Sequence, residues 1–174
     1  MLNVPNFLTV LRIALTPVFA WSLFSDHPRI VTLILFLVAA LTDLVDGWWA
    51  RKYDITSDFG KIADPIADKA LTGAAWIGLS MLGDIPVIAT VLIVIREVGI
   101  TVLRLALMNR RVLAADRGGK WKTTLQIVTI SFYVIGFHDF IPVVVDVLLW
   151  ATVLVTSVTG LRYVNAMRMT RSVA

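Results

Sequence analysis

Six long apolar runs occupy most of the chain, and they limit what it can fold into. The runs are Asn6–Phe24, Ile30–Arg51, Gly60–Leu82, Ile85–Asn109, Lys120–Phe137 and Phe140–Met167. A hydrocarbon core about 30 Å thick is crossed by a helix of about 20 residues, and these runs lack the alternation of barrel strands. The hydrophobic content of 58% and the mean hydropathy of +0.83 exceed those of a soluble domain. We predict an all-α integral membrane protein, with residues 1–174 forming a single domain of six transmembrane helices joined by short loops.

Basic side chains concentrate on one side of this predicted bundle. That side carries Arg51, Lys52, Lys61, Arg110, Arg111, Arg117, Lys120, Lys122, Arg162, Arg168 and Arg171, whereas the opposite connections carry Arg29 alone. Short loops rich in Lys and Arg stay in the cytoplasm. We therefore expect a multi-pass protein of the cytoplasmic membrane, with both termini and the loop between the second and third runs facing the cytoplasm.

Four aspartates occupy one face of each of two neighbouring helices. Asp43 and Asp46 are three residues apart on the second run, and Asp64 and Asp68 are four apart on the third. These spacings place each pair on one helical face. Small residues accompany them on the same faces, namely Gly47, Ala50 and Gly60. Two helices joined by a short loop thus present two carboxylates each, beside positions where a ligand can approach closely.

Carboxylates within an apolar bundle need a partner. A single Asp at the bilayer centre costs about 2.5–3.5 kcal/mol, and four together also repel one another. Carboxylate oxygens suit Mg²⁺ or Mn²⁺, whereas zinc prefers His and Cys, and cysteine is absent. The pattern predicts two divalent cations in a site for phosphoryl or nucleotidyl transfer, with one carboxylate free to take a hydroxyl proton. The alternative is that the aspartates solvate helix ends and pair with Arg51, Lys52, Lys61 and Lys69.

The whole acidic segment resembles a family signature. Asp43-x-x-Asp46-Gly47-x-x-Ala50-Arg51, eight further residues and then Gly60-x-x-x-Asp64-x-x-x-Asp68 match the pattern of the CDP-alcohol phosphotransferases at every specified position. The resemblance implies a six-helix membrane enzyme, usually a homodimer, that transfers a phosphatidyl-type group from a CDP-linked donor to an alcohol and releases CMP. It also implies that all four aspartates hold two divalent ions, that Asp68 is the general base, and that Gly47, Ala50, Arg51 and Gly60 shape the nucleotide site.

Three further segments are similar to one subgroup of that family, the bacterial phosphatidylglycerophosphate synthases. "NVPNFLTVLRI" matches their opening, which places Asn6, Thr9 and Arg12 near the CDP moiety. "IREVGITVLR" and "GGKWKTTLQ" resemble the same subgroup in the fourth and fifth runs. The resemblance implies CDP-diacylglycerol as donor and glycerol 3-phosphate as acceptor, and no nucleic-acid partner.

Cationic residues in the fourth and fifth runs fit a phosphorylated acceptor. An intramembrane Arg is by default a functional hypothesis, and its planar fork suits a phosphate, to which a Lys adds a point charge. The predicted acceptor site comprises Arg96, Arg104, Lys120, Lys122 and Thr123. Two alternatives remain open: an internal Arg96–Glu97 ion pair that fixes helix packing, and snorkelling or positive-inside roles for Arg104, Lys120 and Lys122.

Two other functions are compatible with parts of this pattern. The same fold with inositol phosphate or phosphatidylglycerol as acceptor would keep the signature and differ in the pocket that includes Gln126. A small cation transporter would also place carboxylates within the membrane. Transporters often carry inverted repeats, whereas these four carboxylates cluster in one half of the chain. Divalent-dependent binding of CMP would distinguish an enzyme from a transporter.

Overall fold

The computed structural model describes the backbone of residues 4–26, 28–53, 58–106 and 118–171, and the side chains of 7–26, 28–43, 45, 49, 66–103 and 121–165. The described residues form helices and contain no strand. The helices are α1 (Val4–Leu23), α2 (Arg29–Tyr53), α3 (Asp58–Met81), α4 (Val87–Ala106), α5 (Gly118–Ile135) and α6 (Pro142–Arg171), with a short 3-10 helix at Phe137–Asp139. The all-α prediction is confirmed. Each predicted run corresponds to one helix, with ends that differ by a few residues.

The connection between α3 and α4 shows why the chain turns where it does. Gly83 has a φ of 85°, in the left-handed region that favours glycine. The backbone N–H of Gly83 donates to Ser80 O at 3.1 Å and that of Asp84 donates to Leu79 O at 3.0 Å. These bonds satisfy carbonyls left free at the end of α3. Pro86 directly precedes α4, where a missing N–H costs no helical hydrogen bond.

The centre of the bundle combines apolar packing with buried hydroxyl groups. Phe19 and Phe36 are fully buried, with ring centroids 5.4 Å apart, and bring α1 against α2. Thr129 and Thr152 share a 2.7 Å hydrogen bond between α5 and α6. Small polar residues of this kind are typical of helix interfaces in membranes, where they pair across helices.

Large apolar side chains also cover the outward faces of the helices. Val87, Ile95 and Leu154 are examples, each about two-thirds exposed. Within the described part of the chain, one segment of 24 residues, Pro142–Asn165, is long and apolar enough to cross a bilayer, and Phe7–Leu23 is a shorter apolar segment. Six membrane spans and cytoplasmic termini therefore remain predictions.

The packing of the helices brings the predicted site residues to one region. α1 packs against both α2 and α3, and α5 packs against the same two helices. α4 packs against α3 and α6. As a result, Asp43 of α2 and Asp68 of α3 lie beside α1 and α5.

Candidate active site

A small cavity lies where α1, α2, α3 and α5 meet. It is lined by Arg12, Ala40, Asp43, Asp68, Leu71, Thr72, Thr123 and Ile127 and has a volume of about 20 Å³. A cavity of that size admits one water molecule or a small ion. One aspartate from each half of the acidic pattern thus faces the same ion-sized space, together with residues predicted for the nucleotide and for the acceptor.

Arg12 is fully buried and is held by two residues of α2. Its Nη1 lies 3.1 Å from Asp43 Oδ1, and its Nε donates to Thr42 Oγ1 at 3.2 Å. Thr42 Oγ1 in turn donates to Ala39 O at 2.6 Å. A buried guanidinium needs such partners, and its planar fork can serve two at once. Arg12 therefore joins α1 to the first aspartate of the pattern.

Asp68 is held from its own helix. Lys69 Nζ lies 2.8 Å from Asp68 Oδ2, and Thr72 Oγ1 donates to the backbone oxygen of Asp68 at 3.0 Å. The Asp68 side chain is 24% exposed, so the carboxylate can be reached from the cavity. Lys69 was predicted only as an alternative counterion, and the structure places it directly on the carboxylate to which the family resemblance assigns the base role.

Glu97 on α4 is the centre of an ionic cluster beside this cavity. Its carboxylate pairs with Arg96 Nη1 at 2.9 Å, with Lys69 Nζ at 2.7 Å and with Lys122 Nζ. Gln126 Nε2 also donates to it, at 3.4 Å. The Arg96–Glu97 ion pair that the sequence leaves open is therefore present. An acceptor-binding role for Arg96 and Lys122 remains a prediction. Two cations of the cluster, Lys69 and Lys122, are the chain neighbours of the cavity-lining Asp68 and Thr123.

Other predicted site residues fall into two groups. Thr123 lines the cavity while its neighbour Lys122 faces Glu97, because successive helical residues point about 100° apart. Thr9 is buried one turn before Arg12 on α1. The side chains and surroundings of the remaining predicted residues lie outside the described part of the chain; these are Asn6, Asp46, Gly47, Ala50, Arg51, Gly60, Asp64, Arg104 and Lys120.

The donors that are described fit a hard divalent cation. Asp43 and Asp68 supply carboxylate oxygens from two helices to one ion-sized cavity, which suits Mg²⁺ or Mn²⁺. The described side chains include no group of three or more His, Cys, Asp or Glu residues able to hold a metal. The structure does not describe the side chains of Asp46 and Asp64, which would complete the predicted set of metal ligands.

Some residues that build the site were not predicted. Thr42 supports Arg12, and Thr159 accepts a hydrogen bond from Arg96 Nη2 at 3.1 Å. Gly160 leaves room for Arg96, since a Cβ there would lie 2.9 Å from Arg96 Cγ. A single Thr or Gly in an apolar run carries no periodic signal, so pattern alone does not separate these residues from their neighbours.

Comparison with known proteins assigns the chain to a family. The family model for CDP-alcohol phosphatidyltransferase matches residues 2–158. The chain is 46% identical over 167 residues to a probable phosphatidylglycerophosphate synthase of Mycobacterium tuberculosis (strain H37Rv), covering 93% of this chain and 80% of the relative. It is 37% identical over 172 residues to a CDP-diacylglycerol–glycerol-3-phosphate 3-phosphatidyltransferase of Rickettsia bellii, and 36% identical over 181 residues to the Bacillus subtilis protein of the same name, covering 94% of each chain in both alignments. The chain belongs to the CDP-alcohol phosphatidyltransferase family.

Proposed function

We propose that this protein transfers the phosphatidyl group of CDP-diacylglycerol to glycerol 3-phosphate, giving phosphatidylglycerophosphate and CMP. One observation carries the proposal: Asp43 and Asp68, from the two halves of the family signature, line one ion-sized cavity, and a cluster of three cations adjoins it. The names of the relatives point to the same reaction. Residues 1–174 are proposed to form one catalytic domain.

The reaction is a displacement at phosphorus. A hydroxyl oxygen of glycerol 3-phosphate attacks the phosphorus that bears diacylglycerol, the bond from that phosphorus to the CMP oxygen breaks, and CMP leaves with the electron pair. Asp68 is proposed to take the hydroxyl proton, because its carboxylate faces the cavity. Two divalent cations held by Asp43, Asp46, Asp64 and Asp68 would neutralise the pyrophosphate oxygens.

The nucleotide half of the site is assigned to the first half of α1, the end of α2 and the start of α3. Arg12 is proposed to hold Asp43 in place and to present positive charge to the donor, with Asn6, Thr9, Gly47, Ala50, Arg51 and Gly60 around the CDP moiety. The fully buried position of Arg12 and its bond to Thr42 support this, because they fix the guanidinium before any ligand arrives.

The charges beside the cavity favour an acceptor that carries its own phosphate. Lys69, Arg96 and Lys122 supply three positive charges against the carboxylates of Asp68 and Glu97. The surplus suits a phosphate monoester, whereas inositol or another neutral alcohol would not need it. Arg104, Lys120 and Thr123 are proposed to complete this half of the site.

The donor lipid requires access from a bilayer. We propose six membrane spans, a site that faces the cytoplasm and a homodimer in the cytoplasmic membrane. Two features support the membrane placement. The described helices carry apolar side chains on their outward faces, and the Lys and Arg residues concentrate on one side of the predicted bundle. The homodimer follows from the family resemblance.

The test is a reconstitution with purified protein. CDP-diacylglycerol and Mg²⁺ are supplied with glycerol 3-phosphate, inositol phosphate, phosphatidylglycerol or serine in separate reactions, and products are read by mass spectrometry. We expect phosphatidylglycerophosphate from the first reaction alone and at least about a hundredfold slower turnover in Asp68→Asn, since general-base catalysis contributes about 10²–10⁴-fold. Product from another acceptor would overturn the acceptor assignment. Absence of CMP release in every reaction would favour the transporter alternative.

A further inference from the structure

Among the side chains that the structure describes, four form hydrogen bonds or ion pairs with Glu97. Its Oε1 accepts from Arg96 Nη1, Lys122 Nζ and Gln126 Nε2, and its Oε2 lies 2.7 Å from Lys69 Nζ. An ionised carboxylate has about four lone-pair sites. Three of the four donors share Oε1 and the fourth lies on Oε2, so both oxygens of Glu97 are engaged by the cluster and the carboxylate serves as its shared counterion.

The charged groups around Glu97 are largely buried, and its three cationic partners outnumber the carboxylates of Glu97 and Asp68. Glu97 and Lys122 are buried, and the side chains of Lys69 and Arg96 are only 24% and 15% exposed. Removing one partner from a buried group of charges is strongly destabilising, because the remaining charge is left without compensation. Glu97 is thus the group that allows three cations from α3, α4 and α5 to lie together.

Lys69 connects this cluster to Asp68. Neighbouring residues of a helix point about 100° apart, so the side chains of Asp68 and Lys69 are not expected to meet. Lys69 Nζ nevertheless lies 2.8 Å from Asp68 Oδ2 and 2.7 Å from Glu97 Oε2. The ammonium group is held between a carboxylate of its own helix and one of α4.

We infer that Glu97 is a positioning residue for the acceptor half of the site. It holds Lys69 against Asp68 and keeps Arg96 and Lys122 together where the acceptor's phosphate would arrive. The inference rests on the proposed function, and it assigns Glu97 no contact with substrate. Its effect on catalysis passes through the three cations.

The Glu97→Gln variant tests this role, because it removes the charge at nearly constant volume and turns one acceptor atom into a donor. The loss of the charge-assisted hydrogen bonds that position three cations should raise the KM for glycerol 3-phosphate about tenfold or more. Turnover per CMP-binding site should fall by a similar factor. Divalent-dependent CMP binding, measured by calorimetry, should keep its stoichiometry and a Kd within about twofold of wild type. The reason is that the partners described for Glu97 are Lys69, Arg96, Lys122 and Gln126, none of which is proposed for the nucleotide. Glu97→Asp restores the charge and should recover part of the loss.

Asp146→Asn is the matched control. It makes the same chemical change at a carboxylate that accepts from Tyr133 at 3.0 Å and pairs with His138 at 3.3 Å, near the start of α6. We expect its kinetic constants to equal those of wild type. Lys69→Gln serves as a second variant should Glu97→Gln fail to fold, and it should raise the same KM. The double variant should lose less than the sum of the two single losses, because both variants remove the contact between Lys69 and Glu97.

Three outcomes would overturn these assignments, and each has its own pattern. An unchanged KM for glycerol 3-phosphate in Glu97→Gln, with CMP binding intact, would overturn the inference. A parallel loss of CMP binding and turnover would overturn it too, because it would make Glu97 a purely structural residue. Wild-type protein that binds CMP and forms no phosphatidylglycerophosphate would instead overturn the proposed function.

Discussion

At the scale of single residues, the Arg12–Asp43 ion pair joins the buried guanidinium of α1 to the first aspartate of the family signature, on α2. Removing one partner of a buried ion pair costs about 3–5 kcal/mol, and the cost here is lower because the Asp43 side chain is 35% exposed. We expect Arg12→Gln to lower the melting temperature in detergent. Added Mg²⁺ should raise that temperature more in the variant than in wild type, since Asp43 then lacks its cationic partner. Differential scanning fluorimetry with and without Mg²⁺ measures both effects.

Arg29→Gln is the control for that experiment. Arg29 Nη1 lies 2.8 Å from Asp139 Oδ2, but both side chains are more than half exposed. Surface ion pairs contribute about 0–1 kcal/mol, so this variant should melt close to wild type and respond to Mg²⁺ as wild type does. Equal melting temperatures of the Arg12 and Arg29 variants would contradict the role assigned to the buried pair.

At the scale of elements, α6 forms hydrogen bonds with two residues of the ionic cluster around Glu97. Arg96 reaches across to Thr159 on α6, and Gln126 donates to Thr156 at 3.4 Å. Thr152, Thr156 and Thr159 follow one another at helical spacing and face the same side of α6. The helix therefore contributes a polar stripe that holds Arg96 and Gln126 in place.

Gly160 on the same helix provides a sharp test of this packing. A Cβ at Gly160 would lie 2.9 Å from Arg96 Cγ, and Arg96 is held at its far end by Glu97 and Thr159. Overpacking costs about 1–3 kcal/mol, whereas alanine gains up to about 1 kcal/mol of helix propensity over glycine. We expect Gly160→Ala to lower the melting temperature and to raise the KM for glycerol 3-phosphate.

Gly73→Ala is the corresponding control in α3. Beyond the adjacent residues and the backbone of the neighbouring turns of α3, no atom of the described residues lies within 4 Å of a Cβ built at Gly73, so this variant should gain the propensity without the clash. A melting temperature at or above that of wild type is expected. Equal melting temperatures of the Gly160→Ala and Gly73→Ala variants would mean that Arg96 can move away from the added methyl group, which would contradict the role assigned to α6 in holding Arg96.

At the scale of the whole molecule, the hydrophobic pattern predicted where the helices lie better than it predicted which helices pack together. The run Asn6–Phe24 became α1 at Val4–Leu23, because apolar length and helix length follow from the same residues. The spacing of the aspartates predicted only that each pair shares a face of its own helix; the structure adds that Asp43 and Asp68, one from each pair, line one cavity. Apart from Arg96, whose ion pair with Glu97 the sequence left open, the partners of Glu97 were not predictable, because a helical pattern states which face a residue occupies and not which helix packs against it. Lys69 on α3 and Thr159 on α6 meet that cluster only through tertiary packing.

The orientation of the bundle leads to one more prediction. The segment Pro142–Asn165 has 24 residues, and a rise of 1.5 Å per residue makes it about 36 Å long, enough to cross the hydrocarbon core. Phe140 is 80% exposed just before this segment, and Asn165 is exposed at its end. The chain has no cysteine, so single-cysteine variants report without background.

Phe140→Cys should react with a membrane-impermeant maleimide in intact cells, and Asn165→Cys should react only after the membrane is opened. The physical reason is the excess of Arg and Lys on the side of the chain that includes Arg162, Arg168 and Arg171, which retains that side in the cytoplasm. Labelling of both variants after permeabilisation is the control for accessibility. The opposite pattern would place the aspartates on the outer face, away from a cytoplasmic supply of glycerol 3-phosphate, and would contradict the proposed orientation of the site.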